Sequence, residues 1–501
     1  PYQLDLVAKI RASLAAGKKA PLVVSPTGLG KTAIFSYIAA GASAKRNRVI
    51  VLTHRREIMQ QTIKSMHRLG VTCGQVAAGR PMTADLIQVA SVPTLIRRLA
   101  LVPRPDLIIT DECHHTTEKN TFGRIHAYWS TVPNIGFTAT PCRLDGVGLG
   151  DCYDDMIEGP TIRWLVDEGW LSVPVLYRPP EEVGAQYHIK RGDYDQAEQA
   201  EVMSRRKIVG DVIDHYRKHL DGLPVIVSCV SVEHAKLMAA VFAGAGYQAR
   251  AVWGDMPDSD REDSLAGLGD GRVQVITFAD LIGEGVDIPA VAGVIMLRRT
   301  LSTGLYLQIV GRALRPLYAD GADMETREGR RAGQLAGPKP RAIILDHAGN
   351  YAIHGHVLAD RAWSLASTRE SMRGQAPPVT TACPACYGIW PGKPRACPAC
   401  GYSFMAEETA ARVAELKVIE GELVEAGIDE EDAASAAKFI ADALKADGKT
   451  RQKMLLGKAF SLALYGEGGK AQLEALASAV GYKGGWTRWA WEYARGRNPR
   501  K

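Results

Sequence analysis

Ser25-Pro26-Thr27-Gly28-Leu29-Gly30-Lys31-Thr32 is the stretch that decides the fold. The apolar run Leu22-Val23-Val24 before it reads as a short buried strand, and Ala33-Ile34-Phe35-Ser36-Tyr37-Ile38 after it reads as a helix. A strand, a glycine-bearing turn and Gly-Lys-Thr opening a helix form the pattern of a phosphate-binding loop. Gly28 and Gly30 let the backbone curl until its N–H groups face phosphate oxygens, and the helix N-terminus adds partial positive charge there. Lys31 supplies a full charge for the β- and γ-phosphates, and the Thr32 hydroxyl can ligate Mg²⁺. Thr27, Gly28, Gly30, Lys31 and Thr32 are therefore the ATP-binding candidates. Ser25 stands where such loops usually carry glycine; it is small, and the loop tolerates it.

A chain of 501 residues holds two to four domains, and 46% hydrophobic content is ample for sizeable cores. No apolar run is long enough to span a membrane, and the N-terminus, which starts at Pro1, shows no secretory leader. The expectation is a cytoplasmic protein with no membrane partner. The net charge of +6 is compatible with a polyanionic partner without requiring one. Of nine cysteines, Cys73, Cys113, Cys142, Cys152 and Cys229 are scattered through apolar segments, whereas Cys383, Cys386, Cys397 and Cys400 cluster. That distribution fits a reducing compartment.

Outward from the loop, Gln3 precedes a helical stretch, and its amide can read an adenine edge. A second buried strand at 48–53 runs into His54-Arg55-Arg56 and a helix at 57–69. That basic cluster reads equally as a phosphodiester contact or a solvated helix start. Further strands are expected at 86–90 and 107–110, the last ending in Asp111-Glu112-Cys113-His114. Two carboxylates at the end of a buried strand are costly unless used. Asp111 can hold Mg²⁺, and Glu112 can orient and deprotonate the attacking water. A strand at 135–138 enters the turn Thr138-Ala139-Thr140. Strands alternating with helices predict a doubly wound parallel sheet with ligands at the strands' C-terminal ends.

These motifs together resemble motifs I, II and III of superfamily 2 helicases of the DEAD/DEAH type, here with a DECH box. The run 138–150 and the segment 153–174 resemble the bacterial and phage RadD-like branch. The resemblance implies that His114, Thr138 and Thr140 couple hydrolysis to the grip on nucleic acid.

A polar stretch at 186–199 reads as a linker or accessory insertion. A second alternating pattern follows, with strands at 224–229, 248–252, 273–277, 292–297 and 342–345 but no phosphate loop. Thr277 to Pro289 resembles motif V, which assigns Gly285 and Asp287 to the nucleotide site. Gln308-Ile309-Val310-Gly311-Arg312-Ala313-Leu314-Arg315 matches motif VI. Arg312 and Arg315, three apart, share a helix face and can meet charge developing on a γ-phosphate, with Gln308 beside them. Arg55, Thr94, Ser231 and Thr277 are the nucleic-acid contacts that the motif positions imply.

Cys383-Pro-Ala-Cys386 and Cys397-Pro-Ala-Cys400, ten residues apart, have the spacing of a four-cysteine zinc ribbon. Disulfide or redox use is the alternative. Beyond residue 406 the chain reads as helical. Its end places Trp486, Trp489 and Tyr493 on one helix face among Arg488, Arg495, Arg497, Arg500 and Lys501. Those aromatics suit a helical core, a nucleic acid or a protein partner.

The expected architecture is α/β: two tandem RecA-like (P-loop NTPase) parallel-sheet domains, a zinc ribbon and an all-helical C-terminal domain. The expected boundaries are 1–180, a linker at 181–200, 201–375, 376–405 and 406–501. The expected activity is ATP-dependent helicase or translocase action, with ATP, Mg²⁺ and structural Zn²⁺ as cofactors. DNA, in repair, recombination or replication, is the expected substrate. A motor subunit of a restriction or defence complex and an RNA-dependent ATPase are the alternatives.

Overall fold

The computed structural model describes residues 2–54, 56–141, 147–179, 187–190, 193–279, 288–366 and 379–404, with scattered positions between 442 and 490. Among the described residues, no helix is long and apolar enough to cross a membrane.

Seven parallel strands build the first sheet: β1 (Pro21–Val24), β2 (Val49–Thr53), β3 (Gly74–Val76), β4 (Ile87–Ser91), β5 (Leu107–Asp111), β6 (Asn134–Thr138) and β7 (Asp155–Glu158). Their spatial order is β3-β4-β2-β5-β6-β1-β7. β1, β2 and β6 are buried along their whole length, which is why they read as continuous apolar runs. The order sets β5, β6 and β1 side by side, with Val24 opposite Thr138 and Asp111 opposite Phe137. Three loops well separated in sequence thereby leave the sheet at one edge. The short β3 and the partly exposed β7, Asp-Met-Ile-Glu, lacked a periodic signal and were not expected.

The chain then crosses to a second sheet through β8 (Val173–Tyr177). Strand pairing corrects the expected boundary at residue 180: β8 pairs in parallel with a strand of the second domain. Pro174 lies within it, and a proline gives up a ladder donor. Its tolerance follows from the ladder, because on the far side only Leu176 and Tyr177 are paired. The stretch expected as a linker contains a small hairpin, β9 (Ile189–Lys190) with β10 (Asp193–Tyr194), and the start of the helix Gln196–Met203. Asp193 binds it to the second domain by accepting from Thr300 Oγ1 at 2.8 Å and Leu301 N at 2.7 Å.

The second sheet continues with β11 (Val225–Ser228), β12 (Ala249–Val252), β13 (Val275–Phe278), β14 (Gly293–Met296) and β15 (Arg341–Asp346). It ends with β16 (Thr380–Ala382) and β17 (Gly388–Pro391), in the order β12-β13-β11-β14-β15-β8-β17-β16. β16 and β17 belong to the cysteine-bearing segment, so that segment extends the second sheet rather than standing apart.

Residues 1–408 form one compact unit and 409–501 another. In the second unit most described positions are helical, and Leu455, Leu473, Leu476, Ala477 and Ala490 are buried. Trp486, Trp489 and Tyr493 lie outside the described residues.

Candidate nucleotide site and domain cleft

The loop after β1 carries Gly28 at φ 91° and Gly30 at φ 89°, both left-handed conformations that β-carbon sterics disfavour. Space reinforces the choice. A β-carbon on Gly28 would come within 2.8 Å of Leu171 Cδ2, and one on Gly30 within 2.6 Å of Gln3 Nε2. Gly30 leads into the helix Lys31–Ser43, whose first N–H groups have no side-chain cap. That end is a ready anion site. Gln3 Nε2 donates to Leu29 O at 3.3 Å, and the Tyr2 hydroxyl donates to the same carbonyl at 3.1 Å.

Lys31 and Thr32 open the helix. Lys31 Nζ lies 3.4 Å from Glu112 Oε1, so the loop lysine and the acidic motif meet. Asp111 ends β5 and is buried, while Glu112 turns the chain at φ 47°. Burial, then the neighbouring Glu112, pushes the Asp111 carboxyl up to about 6, against the opposing pull of Lys31. A buried acid held this way is primed for a cation, which would restore its ionised form. Asp111 thus suits an Mg²⁺ ion, for which the phosphate-loop pattern offers the Thr32 hydroxyl as a second ligand.

The coupling candidates adjoin one another. His114 Nδ1 lies 3.1 Å from Thr138 Oγ1 and 3.4 Å from Glu112 Oε2. Thr138 Oγ1 donates to Thr140 O at 2.8 Å. A β-carbon on Gly304, in the second-domain helix Thr303–Ala313, would lie 2.9 Å from Thr140 Oγ1. The hydroxyl-rich turn therefore packs directly on the helix that carries Gln308 and Arg312.

That helix also seats its Gly311 on the phosphate loop. A β-carbon there would come within 2.9 Å of Thr27 Cβ. Gln308 and Arg312 are buried in it. Arg315 follows, with its Cγ 3.8 Å from the β-carbon position of Gly28. Burial lowers its guanidinium to about 10, which leaves it charged at neutral pH. Lys339, which no sequence signal marked, is buried beneath it and donates to Arg315 O at 2.5 Å and Pro289 O at 3.3 Å. His115, which no sequence signal marked, meets His54 of the basic cluster here. His54 lies 4.5 Å from His115 between ring centroids, and His115 4.2 Å from His114, so a run of tilted ring contacts joins the end of β2 to the acidic motif.

The nucleic-acid candidates divide. Thr277 is fully buried and donates to Ala235 O at 2.7 Å, which corrects its assignment as a contact: its hydroxyl serves the core. Ser231 caps the helix Val232–Gly244 by accepting from His234 N at 3.2 Å. Thr94 is half-buried in the short helix Val92–Leu95. Arg55, Gly285 and Asp287 lie outside the described residues.

In the cysteine segment the four Sγ atoms lie within 4.8 Å of one another. Cys383 and Cys400 are 3.7 Å apart, and Cys386 and Cys397 3.6 Å. A tetrahedral ion with bonds of about 2.3 Å needs S···S edges of about 3.8 Å. The two pairs form matching knuckles: Tyr387 N donates to Cys383 O and Gly401 N to Cys397 O, with Tyr387 and Gly401 both at positive φ. The four thiols fit a closed metal site with no open position.

Residues 1–143 match the family model for the type III restriction enzyme res subunit, and 184–316 match the helicase conserved C-terminal domain. A 51.5 kDa protein of a Lactococcus phage is 31% identical over 92% of this chain and 96% of its own length. The Schizosaccharomyces pombe protein described as mitochondrial ATP-dependent helicase irc3 is 26% identical; the match covers 63% of this chain and 54% of that protein. The fragment structure described as an HsdR subunit of a type I restriction enzyme from Vibrio vulnificus superposes with a TM-score of 0.53 at 22% identity. That match covers 72% of this chain and 65% of the other. On these matches the chain belongs to the superfamily 2 helicases, which hydrolyse ATP.

Proposed function

We propose that this protein is a DNA motor of the RadD-like branch that hydrolyses ATP in the cleft between its RecA-like domains. The observation that carries the reading is the seating of Gly311 on Thr27, which sets the helix that bears Arg312, with Arg315 just beyond it, against the phosphate loop. Gln3, Thr27, Gly28, Gly30, Lys31 and Thr32 hold the nucleotide. Asp111 and Thr32 hold Mg²⁺, which neutralises phosphate charge when bound. Glu112 orients the attacking water and accepts its proton, with Lys31 and His114 fixing the carboxylate. Gln308, Arg312 and Arg315 stabilise the charge that develops on the transferred group. His114, Thr138 and Thr140 tie that chemistry to the second domain, so that hydrolysis and cleft opening alternate. Gly285 and Asp287 are assigned to the same site by motif V.

Arg55, Thr94 and Ser231 are the proposed backbone contacts to the polynucleotide. Such contacts make binding independent of sequence and sensitive to salt. The four thiolates hold a structural Zn²⁺. The proposed boundaries follow the strand pairing: a first domain to about residue 172, a second from β8 to about 375 with the hairpin region as its insertion, and a ribbon to about 405.

The test is the ATPase rate without nucleic acid and with single-stranded, double-stranded or forked DNA, or RNA. Strong stimulation by one DNA form supports the reading; stimulation by RNA alone refutes the substrate. The match to a restriction res subunit favours a second reading, a motor subunit of a restriction or defence complex. Hydrolysis indifferent to every polynucleotide until a partner protein is added would favour it.

A further inference from the structure

Lys339 is 2% exposed, and it stands outside every motif used above. Burying an ammonium is costly, and lysine is almost never fully buried unless its charge is met. Here burial, and then the like charge of Arg315, lower the ammonium to about 7. Among the described residues no carboxylate pairs with it. Its partners are two backbone carbonyls, Arg315 O at 2.5 Å and Pro289 O at 3.3 Å.

The sequence explains why the first of those carbonyls needs a donor. Pro316 follows Arg315. A residue before proline is pushed out of the helical region, and proline itself has no N–H. The helix Thr303–Ala313 therefore ends just before Arg315, at the cap Leu314, and its last carbonyls must be met from outside. Ser172 N, at the crossover into β8, donates to Leu314 O at 2.7 Å. Lys339 takes the next carbonyl, and a cation there also suits the partial negative charge of a helix C-terminus. Pro289 closes the stretch that resembles motif V, so one ammonium ties the end of that stretch to the end of motif VI. The tie is stiff. Lys339 forms an antiparallel bridge with Leu317, and a β-carbon on Gly337 would collide with Leu317 O.

We propose that Lys339 is a positioning residue for hydrolysis: by tying the Arg315 carbonyl to Pro289 it fixes the backbone from which the Arg315 side chain reaches the phosphate loop. The inference rests on the reading of Arg315 as a group that meets charge developing on the transferred phosphoryl group. Arg315 Cγ lies 3.8 Å from the β-carbon position of Gly28. A guanidinium acting there is effective only if its geometry is fixed before the charge appears.

The test is a double-mutant cycle on the full chain, read as kcat for Mg·ATP and as the dissociation constant of Mg·ADP. Lys339→Met removes the ammonium but keeps an unbranched side chain, and Lys339→Gln keeps an N–H donor without the charge. Losing a charged donor that acts through a transition-state group should lower kcat about tenfold in Lys339→Met and leave the dissociation constant unchanged. Lys339→Gln should recover part of that loss. In the Arg315→Ala background, Lys339→Met should lower kcat by less than about twofold more, because residues that act through one contact are not additive. An equal loss in both backgrounds is the mark of a merely structural role and overturns the proposal, and so does an unchanged kcat in the Lys339 variants. If Lys339→Met does not fold, Lys339→Gln runs through the same cycle, and the same two results overturn the proposal. A normal kcat in Arg315→Ala alone would instead remove the role of Arg315 on which the inference stands.

Discussion

Replacing Asp111 by asparagine tests whether this carboxyl is held for a cation rather than for the fold. The acid is buried at the end of β5, and burial together with Glu112 raises it from 3.8 to about 6. Holding it ionised at pH 7.5 without metal therefore costs the folded state about 3 kcal/mol. The amide of the Asp111→Asn variant removes the charge at nearly constant volume and can still accept the 3.0 Å bond from Glu112 N. The sign follows from the raised carboxyl. Between 3.8 and about 6 the folded state binds more protons than the unfolded one, so the cost grows as pH rises through that window. Above it the full cost is present, and below it none is. In metal-free buffer at pH 7.5 the buried amides of β5 should exchange about a hundredfold more slowly in the Asp111→Asn protein. The ratio should shrink toward one as pH falls to about 4, while ATP hydrolysis is lost at every pH. Equal exchange in the two proteins at pH 7.5, or a difference independent of pH, would show that Asp111 carries no such penalty and would remove the argument that this acid is reserved for Mg²⁺.

Lys31→Ala is expected to abolish hydrolysis in a phosphate-release assay; normal turnover would sink the assignment of the loop. Arg315→Ala should cut turnover by about a hundredfold or more while nucleotide binding, measured by equilibrium titration, changes little, because the guanidinium acts on developing charge. Gly311→Ala places a methyl group 2.9 Å from Thr27 Cβ. It should slow turnover by holding the cleft ajar while leaving binding to the first domain intact, and a wild-type rate would mean that the closed contact is not the working state. Removing Cys397 and Cys400 together should release bound zinc, measured by a chromogenic chelator. Because β17 pairs with Leu176 and Tyr177, it should also loosen the end of β8, and an unchanged metal content would refute the four-thiolate site.

The sequence was most legible where one physical demand leaves few residue choices. A phosphate loop needs glycine at positive φ, a lysine and a hydroxyl in fixed succession, so residues 25–32 could be read in isolation. Fully buried parallel strands are continuous apolar runs, so β1, β2, β5 and β6 were visible, and two C-x-x-C knuckles announce themselves by spacing. Edge elements were not visible. β7 is half-solvated and carries two acids, and β8 contains Pro174, which a parallel strand accepts only because its outer side is barely paired.

What the sequence by itself determined is the set of candidates: which groups have the chemistry to bind phosphate, hold a cation, move a proton or meet charge, since each requires particular atoms at short range along the chain. Tertiary structure decided which of these groups meet. It set Lys31 against Glu112 and Gly311 against Thr27. It turned Thr277 into the core, placed Lys339 under Arg315 and gathered Tyr2, Trp164, Trp170 and Arg330 from separate stretches. Contacts between residues far apart in the chain depend on how sheets order their strands and where two domains close, and no local run of residues encodes that distance.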